Sequence, residues 1–118
     1  MILVVDNSKD LSTAQMTPKL IDFLVRNSRV PIVVASNQDQ VRTCLSMFRI
    51  TGAIMSGGPL LLTERTRVDQ YSQNIMVLLH AERHRLPVLG ICFGMQVMAA
   101  AYGGVVTSMR EKIQGLER

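Results

Sequence analysis

The chain exchanges two kinds of segment in strict turn, and that exchange limits the folds open to it. Short apolar runs stand at 2–5 ("ILVV"), 30–36 ("VPIVVAS"), 52–56 ("GAIMS") and 86–91 ("LPVLGI"), each followed by a stretch with helical spacing. These runs lack the apolar/polar alternation of a half-solvated strand, so they read as strands buried on both faces of a parallel sheet. The intervening stretches are the crossovers. In "TPKLIDFLVRN" (17–27), Thr17 suits an N-cap and Pro18 a first turn, with Leu20, Ile21, Leu24 and Val25 on one face. "DQVRTCLSMF" (39–48) puts Val41, Leu45 and Phe48 on one side, with Cys44 following the same period as packing. The longest helix, 67–84, spaces Val68, Tyr71, Ile75, Leu78 and Leu79 for burial. A fourth helix at 94–103 stops at Gly103–Gly104, and "VVTS" (105–108) offers a fifth strand. The expectation is an α/β fold: a three-layer, doubly wound, mostly parallel sheet, with 1–118 as a single domain.

Composition narrows the function classes. Apolar residues are 47% of the chain and charged ones 19%, the balance of a packed domain and not of a disordered one. With no Trp, the core has to be Val, Ile, Leu, Met and Ala, and the eight Met read as core filler. The net charge of +4 comes from scattered pairs such as Arg65/Arg67 and Arg83/Arg85, with no interleaved aromatics, so no nucleic-acid partner is expected. No run approaches membrane-spanning length, and "MILVV" is too short for a signal-peptide core. Two cysteines, Cys44 and Cys92, make no disulfide framework, which suits a reducing, cytoplasmic compartment. His80 and His84, four apart on a helix, lack a third ligand in the sequence, so neither a metal nor a cofactor is expected.

In doubly wound sheets ligands bind outside the carboxyl ends of the strands. That rule selects four corners: Asp6–Asn7, Ser36–Asn37, Ser56–Pro59 and Gly90–Gly94. Gly90-Ile91-Cys92-Phe93-Gly94 has the form of the G-x-S-x-G nucleophile elbow with a thiol in place of the hydroxyl. The start of a helix offers free N–H groups and the positive end of its dipole, both suited to a thiolate. The N–H of Phe93 would face a developing oxyanion. Gly57 and Gly58 let the backbone approach a ligand closely, so the Ser56–Pro59 turn can present a second donor. The bland reading of each corner alone is a tight βα turn, with Cys92 a buried structural thiol. Two donor corners at one sheet edge are a site for acyl chemistry.

"SGGP" followed downstream by "PVLGICFGMQ" and "YGG" resembles the glutaminase domain of class I, triad-type glutamine amidotransferases. The resemblance runs from residue 2 to about 106 and implies a flavodoxin-like fold. "SGGP" and "GMQ" are similar to the GMP synthase type, while "DN" after the first strand is similar to the anthranilate or aminodeoxychorismate synthase type. The resemblance implies glutamine as substrate, a γ-glutamyl thioester on Cys92, and ammonia passed to a synthase subunit or domain. It assigns the oxyanion hole to the backbone of Gly58 and Phe93 and substrate binding to Gln96. Gly57, Pro59, Gly90 and Gly94 shape the turns.

Two departures stand beside it. Leu60-Leu61-Leu62 follows Pro59 where the family places small or polar residues, and the family's His-x-Glu pair downstream of the cysteine is missing, since no His follows Cys92. Glu111 and Glu117 lie in an uncommitted tail. The expectation is negligible glutamine turnover by this chain alone, with the last third of the domain lost or supplied elsewhere. Two other readings remain: a truncated paralogue that binds a synthase-like partner without catalysis, and an unrelated flavodoxin-like binding domain. An uncovered edge near "VVTS" would also favour a homodimer. A receiver-type phosphoacceptor would share the topology. It would need an acidic cluster at the first strand and a Lys after the last, and it leaves the cysteine unexplained.

Overall fold

The computed structural model describes residues 1–8, 16–57, 62 and 71–104. Among these residues four strands alternate with four helices: β1 (Ile2–Asp6), α1 (Met16–Arg26), β2 (Pro31–Ala35), α2 (Val41–Met47), β3 (Gly52–Met55), α3 (Ser72–His84), β4 (Val88–Gly90) and α4 (Phe93–Ala101). The strands form one sheet in the order β2-β1-β3-β4, all parallel. This is the doubly wound α/β arrangement expected from the apolar runs. The predicted fifth strand at 105–108 and the start of the long helix at 67–70, Val68 included, lie outside the described residues.

Strand alternation divides the core into two clusters. Leu3 and Val5 point to one face, where they join Val34, Met55, Val41, Val77, Leu78, Phe93 and Val97. Val4 points to the other, against Ile54 and Leu24. Leu3, Val4 and Val5 are fully buried, so β1 is the centre of the sheet. The second cluster is the smaller because α1 is the helix packed there, with Leu20 and Leu24 one turn apart as its contacts. On β4, Leu89 shares that face through its pairing with Ile54 and is exposed.

Helix boundaries and faces shift in ways that neighbours explain. α1 begins at Met16, so Thr17 is a buried residue of the first turn and not the N-cap. Val25 is exposed, since the narrow contact of α1 with the sheet runs through Leu20 and Leu24. Phe48 ends α2 in an extended conformation and is also exposed. On α3 the buried stripe is Asn74, Val77, Leu78 and Ala81, which leaves Leu79 outside it. Cys44 is half-buried against the larger cluster, as the packing role requires.

Three of the four described helices, α1, α3 and α4, end by one device. Arg29 N–H donates to Leu24 O at 2.8 Å, Leu86 N–H to Ala81 O at 2.9 Å, and Gly104 N–H to Ala99 O at 2.7 Å. These are the six-to-one bonds that close a helix through a left-handed residue. That residue is Gly103 for α4, as the sequence suggests, but Ser28 for α1 and Arg85 for α3, with φ of 60° and 56°.

The two histidine rings meet near the end of α3, centroids 4.3 Å apart and tilted by 40°. Burial holds the His80 imidazole below the ordinary value of 6.5, and the charges of His84 and Arg83 act in the same direction. A depressed histidine adds stability that is present above pH 6.5 and lost as pH falls through its folded value. His84→Gln will raise the His80 pKa part of the way back toward 6.5, read from its ring-proton titration by NMR. An unchanged titration would remove His84 as a cause.

Candidate active site

The corner between β4 and α4 is where the backbone leaves ordinary conformations. Cys92 has φ 50° and ψ −110°, outside the regions an L-residue occupies without strain. Such a geometry costs on the order of 1–3 kcal/mol and persists only where surrounding contacts over-determine it. Here they do. Ile91 N–H donates to Met55 O at 2.9 Å, which carries the β3–β4 pairing into the turn. Gly94 N–H donates to Ile91 O at 3.0 Å and Gln96 N–H to Cys92 O at 3.0 Å, which starts the helix at once. The thiol is thereby turned outward: Cys92 is exposed, while the next residue, Phe93, is buried. The expectation of a buried structural thiol does not hold.

Two glycines make the turn possible. A Cβ on Gly94 would collide with the carbonyl of Met55, 2.7 Å from its carbon, so α4 touches strand β3 backbone to backbone. A Cβ on Gly90 would meet Met95 N at 2.8 Å, within the first turn of the helix. Phe93 opens α4, so its N–H is one of the first-turn donors that a helix cannot satisfy internally. It stands directly after the thiol.

The second predicted corner meets the first. A Cβ on Gly57 would lie 2.9 Å from Cys92 Cβ and 3.3 Å from its Sγ. The turn after β3 therefore passes against the thiol, with room for nothing larger than glycine. Gly58 and Pro59 lie outside the described residues, so the second oxyanion donor does too. Gln96, one helical turn after Cys92, accepts a hydrogen bond on Oε1 from Leu62 N–H at 2.8 Å. It ties the chain beyond the turn to α4. Leu62 itself is buried in the larger core cluster, which explains an apolar residue there; Leu60 and Leu61 are outside the described residues.

The structure joins two of the selected corners in one polar assembly, Asn7 from Asp6–Asn7 and Ser56 from Ser56–Pro59, and adds Asn74, which residue spacing did not single out. Asn7, Ser56 and Asn74 are all buried. Asn7 and Asn74 pair amide to amide: Asn7 Nδ2 donates to Asn74 Oδ1, and Asn74 Nδ2 to Asn7 Oδ1, both at 2.9 Å. Asn7 Nδ2 also donates to Ser56 O at 2.8 Å, and Asn7 N–H to Ser56 Oγ at 2.9 Å. The available signal was periodicity. Asn74 occupies the first position of the stripe completed by Val77, Leu78 and Ala81, where an apolar residue is the default.

Other predicted features lie elsewhere. His80 and His84 sit at the end of α3 that leads into β4, whereas Cys92 follows the far end of that strand, so the histidines are at the opposite sheet edge. The Ser36–Asn37 corner lines a cavity of about 320 Å³ with Asp39, Gln73 and Met76, beside β2, three strands from β4. Among the described residues, no group of three or more His, Cys, Asp or Glu could hold a metal ion. No described helix is long and apolar enough to cross a membrane.

An exposed thiol on a strained strand-to-helix turn, with a glycine turn against it, is an arrangement for attack on a carbonyl. Several known proteins have similar sequences. The chain is 33% identical over 103 residues to "GMP synthase [glutamine-hydrolyzing]" of Prochlorococcus marinus (strain MIT 9312), a match covering 81% of this chain and 17% of that protein. It is 35% identical over 78 residues to one subunit of the "GMP synthase [glutamine-hydrolyzing]" of Methanococcus maripaludis (strain C5), covering 66% of this chain and 36% of that one. The match to the Aeromonas salmonicida (strain A449) "GMP synthase [glutamine-hydrolyzing]" is 39% over 77 residues, covering 64% of this chain and 12% of that protein. The aligned stretch is thus a minor part of each relative. The model of "Glutamine amidotransferase class-I" matches residues 4–118, nearly the whole sequence, and the chain belongs to that family.

Proposed function

We propose that this chain carries the nucleophile and oxyanion half of a glutaminase site, in which Cys92 takes the γ-glutamyl group of glutamine. The observation that carries the reading is the φ 50° turn that presents Cys92 with Gly57 in contact. The Sγ thiolate attacks the side-chain amide carbon. The oxyanion that forms is held by Phe93 N–H and by an N–H of the turn after Gly57, assigned to Gly58. Carbon–nitrogen cleavage releases ammonia, which takes up a proton as it leaves. Water then attacks the thioester, giving glutamate and restoring the thiol. The sum is glutamine plus water to glutamate plus ammonia. In this reading Gln96, one turn from the thiol, holds the substrate through its Nε2 while Oε1 keeps the bond to Leu62.

Proton transfer is the part these residues do not supply. Losing a placed acid–base group costs about 10²–10⁴ in rate. The sequence has two histidines, and both belong to the opposite sheet edge. Neither histidine therefore serves Cys92, and this reading leaves proton transfer to a group other than these two. The ammonia passes to a synthase subunit or domain of the kind the relatives' names describe, which makes the GMP synthase type the favoured one.

Three outcomes follow. A chloroketone analogue of glutamine will label the protein at one site, glutamine will compete, and Cys92→Ala will abolish the adduct, read by intact mass. Labelling that survives Cys92→Ala would sink the assignment of the nucleophile. Gly57→Ala will slow labelling by at least about tenfold by moving the turn off the thiol, in line with the hundredfold effect of ångström-scale misplacement. Sustained ammonia release from glutamine by the 118-residue chain alone would contradict the expectation of negligible turnover.

A further inference from the structure

The Asn7–Asn74 pair is an unusual thing to bury. Replacing both partners of a buried hydrogen bond by apolar groups of the same shape is often nearly neutral for packing. A bare structural role does not ask for two asparagines. What the amides do that leucines could not is hold Ser56. Asn7 Nδ2 directs one proton to Asn74 Oδ1 and the other to Ser56 O, so the partner on α3 sets the rotation of the Asn7 amide, and that rotation aims its second N–H at the Ser56–Gly57 peptide. The main-chain N–H of Asn7 holds Ser56 Oγ as well, which in turn donates to Gly57 O at 3.3 Å. Gly57 is the residue in contact with Cys92.

We propose that Asn7 and Asn74 are positioning residues: a two-amide clamp, spanning β1 and α3, that fixes the Ser56–Gly57 peptide against Cys92 and so holds the wall of the site beside the thiol. Neither touches the substrate. The clamp joins three elements that share no covalent constraint, since Asn7 is 49 residues from Ser56 and 67 from Asn74. Its role in catalysis rests on the glutaminase reading above; its role in holding the turn does not.

The test uses the full chain as wild type, as Asn74→Ala, and as the double variant Asn7→Leu with Asn74→Leu. The double variant removes both amides at nearly constant shape, which protects the fold where the single variant leaves the buried Asn7 Oδ1 without its donor. Hydrogen exchange reads the clamp directly. Both variants will speed exchange of the Asn7 and Ser56 amides by at least about tenfold while Leu3–Val5 amides stay protected. Unchanged exchange in a folded variant would overturn the clamp. Chloroketone labelling of Cys92, set against labelling by iodoacetamide, reads the consequence. In both variants the chloroketone rate will fall by about tenfold to a hundredfold, with the iodoacetamide rate within about twofold of wild type. A double variant that melts like wild type and keeps the full chloroketone rate would overturn the positioning role. Wild type that reacts with iodoacetamide but not with the chloroketone would instead remove the glutaminase reading, and the exchange arm would still decide whether the clamp exists.

Discussion

The tightest of the glycine contacts is backbone on backbone: the first turn of α4 against the last carbonyl of β3, at Gly94 and Met55. Much of the rest hangs on it. With any side chain at 94 the helix would stand off from the sheet. The Ile91–Met55 hydrogen bond would open, and Cys92 would have no reason to keep its left-handed φ. The exposed thiol results from that contact, because a helix that starts so close to the strand end must turn the intervening side chain outward. Phe93 and Val97 then fill the larger core and hold the helix down. Core packing of this kind is worth a few kcal/mol per large side chain, enough to offset strain of about 1–3 kcal/mol at one residue.

A second constraint acts from below. Polar groups buried without partners cost roughly 1–3 kcal/mol each, so the asparagines at the head of β1 and in α3 have defined orientations or none. Between them and Ser56 four hydrogen bonds are made in a space closed to solvent. Gln73 does similar work toward α2 on the same face of the sheet: its Oε1 accepts from Val41 N–H at 3.3 Å, serving the start of α2, and its Nε2 donates to Asp39. The N-terminal turn of α3 is thus a polar seam between apolar layers. It explains why the longest helix has a weaker apolar stripe than its length suggests.

These polar contacts also mark the limit of periodicity as a guide. Leu79 and Val25 fit an apolar face by spacing alone, yet both are exposed, because a helix in a one-sided layer buries a stripe narrower than its apolar residues. Phe48 fails for a different reason: α2 ends one residue earlier, so the helical period no longer applies. Arg85 and Ser28 take the left-handed positions that glycine usually fills, and no local signal separates them from their neighbours.

Three features were readable from the residues alone: the strand–helix alternation, the parallel sheet that follows from unbroken apolar runs, and the two glycine-flanked corners at its carboxyl edge. Each is a local property, set within a few residues by periodicity, turn chemistry and the absence of Cβ. Folding in three dimensions settled that those corners touch, that Cys92 and not Cys44 faces outward, and that Asn7, Ser56 and Asn74 form one assembly. Those depend on strand order and register. Pairing β1 with β3 brings residues 7 and 56 together, and the crossover of α3 brings in residue 74. No window of sequence contains such distances, which is why the corners were legible and their joining through Asn74 was not.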